Sequence, residues 1–187
     1  MPKIIAQKED WIKLGYQLFS EKGIAGIVIE TMAKKLSCNK SSFYWHFKSK
    51  QAFITDLVAY WVETETIQII SNTEKVDGIK EKFARFLEIT FKNEPYLEFI
   101  FFLKRYAKSH PEIQTIIDDI DAQRLNFTAH LFQELGYTKE IAQVKARIFY
   151  NYLIGYHEML KNKKQSKNYL DQVKTDLNHF LNIEDIQ

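Results

Sequence analysis

Positions 39 to 50 read NKSSFYWHFKSK, a run of small polar, basic and aromatic residues suited to binding a nucleic acid. Lys40 can reach a guanine O6/N7 edge or a phosphate. Ser41 and Ser42 are short enough to hydrogen-bond base edges, although a hydroxyl bonds several bases and so specifies weakly. Tyr44 and His46 carry polar tips, and Lys48 and Lys50 add cations. Trp45 is divided between core and backbone contact, whereas Phe43 and Phe47 belong inside. The candidate DNA-contacting set is Asn39, Lys40, Ser41, Ser42, Tyr44, Trp45, His46, Lys48 and Lys50.

The elements that must position this set are two short helices and the start of a third. Ile29, Met32, Ala33 and Leu36 recur at i, i+3, i+4 and i+7, the spacing of one buried helix face. Ser37-Cys38-Asn39 interrupts that pattern, and Asn39 is a favoured N-cap type. The second helix, 40–47, is small and polar in its first turn and aromatic afterwards, so its start can approach base edges. That is the geometry of a helix-turn-helix, whose second helix enters the major groove by its N-terminal residues. The third helix opens at Ser49, where a helix N-terminus favours an anion near Lys50.

Residues 19–50, FSEKGIAGIVIETMAKKLSCNKSSFYWHFKSK, resemble the N-terminal domain of the TetR family of bacterial transcriptional regulators. Phe19-Ser20-Glu21-Lys22-Gly23 matches the family's first-helix ending, and Phe43 to Lys50 matches its tyrosine-aromatic-Phe-x-x-Lys signature. The resemblance implies that Tyr44 and Lys50 contact phosphates. Four positions depart from the family pattern. Ile27 and Val28 stand where Thr or Ser usually opens the helix before the turn. Glu30 takes the place of a frequent basic residue and brings negative charge near DNA. Ser37 takes the place of the turn glycine.

Composition agrees with a basic head on a slightly acidic body. Of the 187 residues, the first 50 hold nine lysines against four acids, a surplus of five, while the remainder hold 17 basic against 20 acidic residues, a deficit of three. Apolar residues make up 45% of the chain, enough for a packed core. A single cysteine, Cys38, excludes an intrachain disulfide framework and suits a reducing cytoplasm. Cys38 itself reads as a small core residue of the turn. No apolar run is long enough for a signal peptide or a membrane span, so a cytoplasmic protein with no membrane partner is expected.

The expected fold is all-α, with about nine helices in two domains: a DNA-binding head over 1–48 and a helical body over 49–187. The first helix runs over 8–22, closed by Gly23, and the fourth over 49–71. Asp77 caps a helix near 79–92, and Pro95 opens another near 95–109. Ser109-His110-Pro111-Glu112 reads as a capping box opening a helix that Gly136 closes. Thr138 caps a helix to about 162, and Ser166 one to about 182. No strand alternation, repeat or low-complexity segment is visible.

The last two helices carry apolar stripes in excess of one core: Phe149, Leu153, His157 and Leu160, then Leu170, Val173, Leu177, Phe180 and Leu181. Gly155 lies mid-helix, where it costs about 1 kcal/mol unless another backbone crosses closely. In the TetR family the equivalent helices form a four-helix bundle across a two-fold axis. That implies a homodimer reading two half-sites about 34–36 Å apart in a near-palindromic double-stranded operator. Many aromatics fill the middle helices. Most read as core, but Phe86, Phe102, Tyr106, Phe127 and His130 are candidates to line an effector cavity, with Arg105, Gln123 and Asn126 as further polar anchors. A small, hydrophobic effector that releases DNA is implied by the resemblance only. Repression is favoured over activation, because a dimer seated on a promoter blocks polymerase without further contacts.

Two other classes stay open on the sequence: a helical DNA-binding or protein-docking module with no ligand, and an enzyme on a helical scaffold. His157-Glu158 begins like a zinc-protease motif, but Lys161 stands where the second histidine is required. No metal-ligand spacing, glycine-rich phosphate loop or nucleophile elbow is present. No metal, cofactor or catalytic residue is therefore assigned.

Overall fold

The computed structural model describes residues 6–92, 98–160 and 164–181, and every regular element among them is helical. The helices are α1 (Lys8–Lys22), α2 (Ile29–Lys35), α3 (Lys40–Phe47), α4, α5 (Ile79–Phe91), α6 (Phe99–Ala107), α7 (Pro111–Glu134), α8 (Lys139–Leu160) and α9 (Tyr169–Leu181). Helix α4 starts as Lys50–Val62, widens into a π-turn at Glu63–Ile67 and finishes as Gln68–Glu74 without a break. It therefore runs past the expected end at 71.

Several expected helix ends hold. Ser49 Oγ accepts from the Ala52 N–H at 3.1 Å and caps α4. Thr138 Oγ1 accepts from the Ile141 N–H at 3.4 Å ahead of α8. Gly136, at φ 98°, closes α7 while the Tyr137 N–H donates to the Phe132 carbonyl, a Schellman ending. Others do not hold. Asn39 occupies the N-cap of α3, yet its side chain makes no capping bond. Gly78, not Asp77, is the N-cap of α5. Helix α7 begins at Pro111 and the His110 carbonyl accepts from Ile113 and Gln114, so the expected box is one residue out of register. Ser166 Oγ accepts from the Asn168 N–H in a turn before α9 rather than capping it. A cap type states only which residues can take the half-helical position; the path of the incoming chain selects among neighbours. The expected helix start at Pro95 lies outside the described residues.

The chain forms two compact units, Met1–Thr64 with Pro95–Ile117, and Glu65–Glu94 with Asp118–Gln187. The first unit is built on rings and large aliphatics: Trp11, Phe19, Met32, Phe43, Phe53, Leu57, Trp61 and Phe99 are all buried. Leu36 and Cys38, both expected inside the head, are only half-buried. The second unit packs Phe83, Leu87, Phe91, Leu131, Phe132, Phe149, Val173 and Leu177 into one cluster.

The turn between α2 and α3 carries a local strain. Ser37 adopts φ 53°, a left-handed value, while its N–H donates to the Lys34 carbonyl and the Cys38 N–H to the Ala33 carbonyl. This is the Schellman ending that glycine serves best. A side chain costs about 1–2 kcal/mol in this region, partly offset by the extra unfolded-state freedom of glycine. Ser37→Gly is expected to stabilise the protein by about 0.5–1 kcal/mol, read as a higher urea midpoint with unchanged slope.

Candidate nucleic-acid interface

Helix α3 has few residues and little propensity of its own; it is held by its buried face. Phe43 and Phe47 have 0% and 2% of their surface exposed, and each packs on Phe53 of α4. That fixes which residues point outward. Lys40, Ser41, Tyr44, Trp45 and Lys48 are exposed, and Lys50 is exposed in the first turn of α4. Trp45 is 78% exposed, so it is a surface residue rather than half core. Asn39 is also exposed.

Ser42 and His46 depart from the expected outward set. They are spaced i, i+4 along the edge of the buried 43/47 face, and both are half-buried. Ser42 Oγ has no exposed surface and no partner among the described residues, so it is not presented to a base edge. His46 Nε2 lies 2.9 Å from the Ala6 carbonyl oxygen.

The Glu30 charge is partly answered. Its carboxylate lies 3.6 Å from Lys40 Nζ, linking α2 to the start of α3. Both side chains are about two-thirds exposed, so the pair is worth little in stability. It does hold Lys40 beside the turn. At the start of α2, Val28 occupies the N-cap and makes no side-chain capping bond, as the missing hydroxyl requires.

The five effector candidates are divided between the two units. Phe102 lies against Gly23 at the end of α1, and the Tyr106 hydroxyl donates to Gln51 Oε1 at 3.1 Å, both within the first unit. Phe86, Phe127 and His130 belong to the second unit. His130 is an exposed side chain paired with Glu134 at 2.9 Å, not a cavity lining. Arg105, Gln123 and Asn126 are likewise exposed. Only Phe86 and Phe127 pack together, at 5.7 Å. Aromatic residues at helical spacing look alike whether they face a neighbouring helix or a cavity.

A polar group in the second unit was missed. Arg124 Nε donates to Thr66 Oγ1 at 2.9 Å, and a terminal guanidinium nitrogen donates to the Glu65 carbonyl at 3.0 Å, inside the π-turn. A wide turn leaves backbone carbonyls in want of donors, and Arg124 supplies them. The Tyr150 hydroxyl donates to Asp121 at 2.5 Å, and burial pushes its pKa up to about 12. Burial also pushes the His157 imidazole below its ordinary value, while its Nε2 bonds the Thr90 carbonyl at 2.7 Å. Among the described residues no carboxylate is hydrogen-bonded to it. No group of three His, Cys, Asp or Glu side chains among the described residues could hold a metal ion.

The stripe reserved for a partner subunit also changes. Phe149, Val173, Leu177 and Leu181 are no more than 2% exposed within this one subunit. A side chain already enclosed by its own fold offers no surface to a second copy. His157, Leu153, Leu160 and Leu170 are half-buried, whereas Phe180 is 52% exposed. Gly155 faces open space, with nothing within 4 Å of where a Cβ would stand. Four exposed residues that the periodicity did not single out, Ile141, Val144, Ile148 and Met159, flank it on α8.

A short exposed helix on a ring-packed core, followed by a basic helix start, has the geometry of a helix-turn-helix. Residues 12–57 match the family model described as bacterial regulatory proteins, tetR family. The HTH-type transcriptional regulator YerO of Bacillus subtilis is 38% identical over 56 residues, which are 30% of this chain and 19% of YerO. IcaR of Staphylococcus aureus, a negative transcriptional regulator of the biofilm operon icaADBC, is 27% identical over 137 residues, 73% of this chain and 68% of IcaR. The fold matches AibR, solved with isovaleryl coenzyme A and operator DNA, with a TM-score of 0.69 and 15% identity, over 89% of this chain and 95% of that one. The similarity to the TetR family thus lies in residues 12–57, and over most of its length the chain shares the fold of solved regulators such as AibR. The matched family model and both relatives, YerO and IcaR, are described as regulators. No helix among the described residues is long and apolar enough to cross a membrane.

Proposed function

We propose that the chain is a cytoplasmic repressor that binds a near-palindromic operator as a homodimer, with residues 1–48 as the DNA-binding domain and 49–187 carrying dimerisation and effector response. The carrying observation is the exposure pattern of α3, which leaves Lys40, Ser41, Tyr44, Trp45 and Lys48 outward with Lys50 opening the next helix. Lys40 and Ser41 would meet base edges; Tyr44, Lys48 and Lys50 would meet phosphates, which position without specifying. IcaR, a negative regulator, supports the repressing sense.

The dimer surface we assign is the exposed α8 stripe of Ile141, Val144, Ile148 and Met159, with Gly155 between and Phe180 of α9 beside it. A glycine with no neighbour in its own subunit leaves room for a partner helix to come close. An effector would act by favouring a dimer whose recognition helices are mis-spaced; it shifts that balance only by its differential affinity for the two states. AibR, bound to an acyl coenzyme A, supports a small and partly hydrophobic effector. The alternative, a DNA-binding module without effector, draws support from Phe83, Phe91, Phe132 and Phe149, all wholly buried against one another. A thermal-shift panel of hydrophobic compounds separates the two.

The test is a gel shift of the purified protein on its own upstream DNA. Lys50→Ala is expected to weaken binding and to flatten the log-affinity against log-salt slope by about 0.9, the signature of one lost phosphate contact. Tyr44→Ala should weaken binding with little change in slope, since a phenol releases no counterion. Unchanged affinity in both variants would refute the contact map.

A further inference from the structure

Ala6, the first described residue, precedes α1 and is nevertheless only 4% exposed. Three elements hold it and the residues after it. His46 Nε2, near the end of α3, is 2.9 Å from the Ala6 carbonyl oxygen. The Cys38 thiol in the turn stands beside the Ala6 backbone, and burial pushes its pKa up. Lys8 Nζ pairs with Asp56 of α4 at 2.7 Å and stands 5.7 Å over the Phe47 ring. The chain entering α1 is thus fastened to the turn, to the recognition helix and to α4.

The chemistry of the His46 bond is decided by its partner. A carbonyl oxygen only accepts, so Nε2 must carry the hydrogen and donate. In a neutral imidazole that leaves Nδ1 as an acceptor. A DNA phosphate oxygen also only accepts. Neutral His46, bonded as it is, has no donor left for the DNA backbone.

We propose that His46 is a positioning residue for DNA binding and not a DNA contact: it pins the segment before α1 to the last turn of α3 and thereby fixes the angle at which α3 meets the groove. The proposal rests on the operator-binding reading above. Helix α3 spans eight residues, Lys40–Phe47, and its inner face is seated by Phe43 and Phe47 alone. Those rings set which face turns inward, but dispersion is non-directional and leaves the helix able to tilt on that face. A directional bond at 2.9 Å on the edge of that face supplies the missing constraint.

The experiment compares full-length wild type, His46→Ala and His46→Gln by fluorescence anisotropy on the upstream duplex over a salt series. A glutamine side-chain N–H can take the place of the Nε2 donor. His46→Ala is expected to bind about threefold to tenfold more weakly with an unchanged salt slope, the effect of one lost hydrogen bond. His46→Gln is expected to bind within about twofold of wild type. Glutamine as weak as alanine, an alanine variant with undiminished affinity, or a slope flattened by about 0.9 would each overturn the proposal, the last by showing a charged phosphate contact. Should the alanine variant fail to fold, the glutamine variant still decides, because its cooperative unfolding and affinity are read directly. Wild type that binds no upstream duplex sinks the operator reading and this proposal with it; wild type that binds while glutamine does not sinks this proposal alone.

Discussion

Phe43→Ala is expected to destabilise the first unit by about 3–5 kcal/mol, the usual cost of deleting a buried aromatic ring. Phe43 is 0% exposed and lies 5.3 Å from Trp11, 5.0 Å from Phe47 and 5.1 Å from Phe53, ring centre to ring centre. One ring therefore joins α1, α3 and α4. No other side chain can fill its space without leaving its own. Against a typical total of about 5–15 kcal/mol, the loss leaves the unit marginal at best. Urea unfolding followed by far-ultraviolet circular dichroism reads the shift. Trp45→Ala, two residues away but 78% exposed, is the control: a stability change within about 0.5 kcal/mol, together with weakened DNA binding. If the two variants lose equal stability, the division of α3 into an inner and an outer face is wrong.

Ile148→Glu carries the second large effect. Ile148 is 40% exposed on α8, in line with Ile141, Val144 and Met159 and about two turns from Gly155. In an isolated subunit the substitution meets solvent and costs little. In a symmetric dimer the same residue recurs on both copies, so two unpaired carboxylates enter one apolar contact, a large desolvation cost. The expected result is a monomer by sedimentation or light scattering with unchanged helical content. Operator affinity should fall by about a hundredfold or more, because the second half-site is no longer held at high effective concentration. A variant that remains dimeric would move the interface off this stripe. A wild type that is monomeric at high concentration would remove the dimer altogether.

The head was legible because its signals are local. Ile29, Met32, Ala33 and Leu36 follow a 3.6 period, and the observed α2 and α3 fall where that period and the polar break place them. Ser37 in a left-handed turn and an α2 without a side-chain cap are the departures visible in the residues themselves. The body was legible as helices but not as contacts. Phe149, Val173 and Leu177 have the spacing of an interface stripe and serve the subunit's own core. Periodicity gives the direction a side chain faces around its helix and is silent on what lies opposite.

The residues alone settled the class of fold and the position of the turn with the two short helices around it, since each depends on interactions within a few positions along the chain. Tertiary structure alone decided that His46 spends its donor on Ala6, that Ser42 is enclosed, that Phe102 and Tyr106 pack with the first unit, and that Arg124 fills the wide turn of α4. Those pairings join positions 40 to 59 residues apart. Chain separation of that size erases any local signature: a donor is assigned to an acceptor only when folding brings both out of water at once.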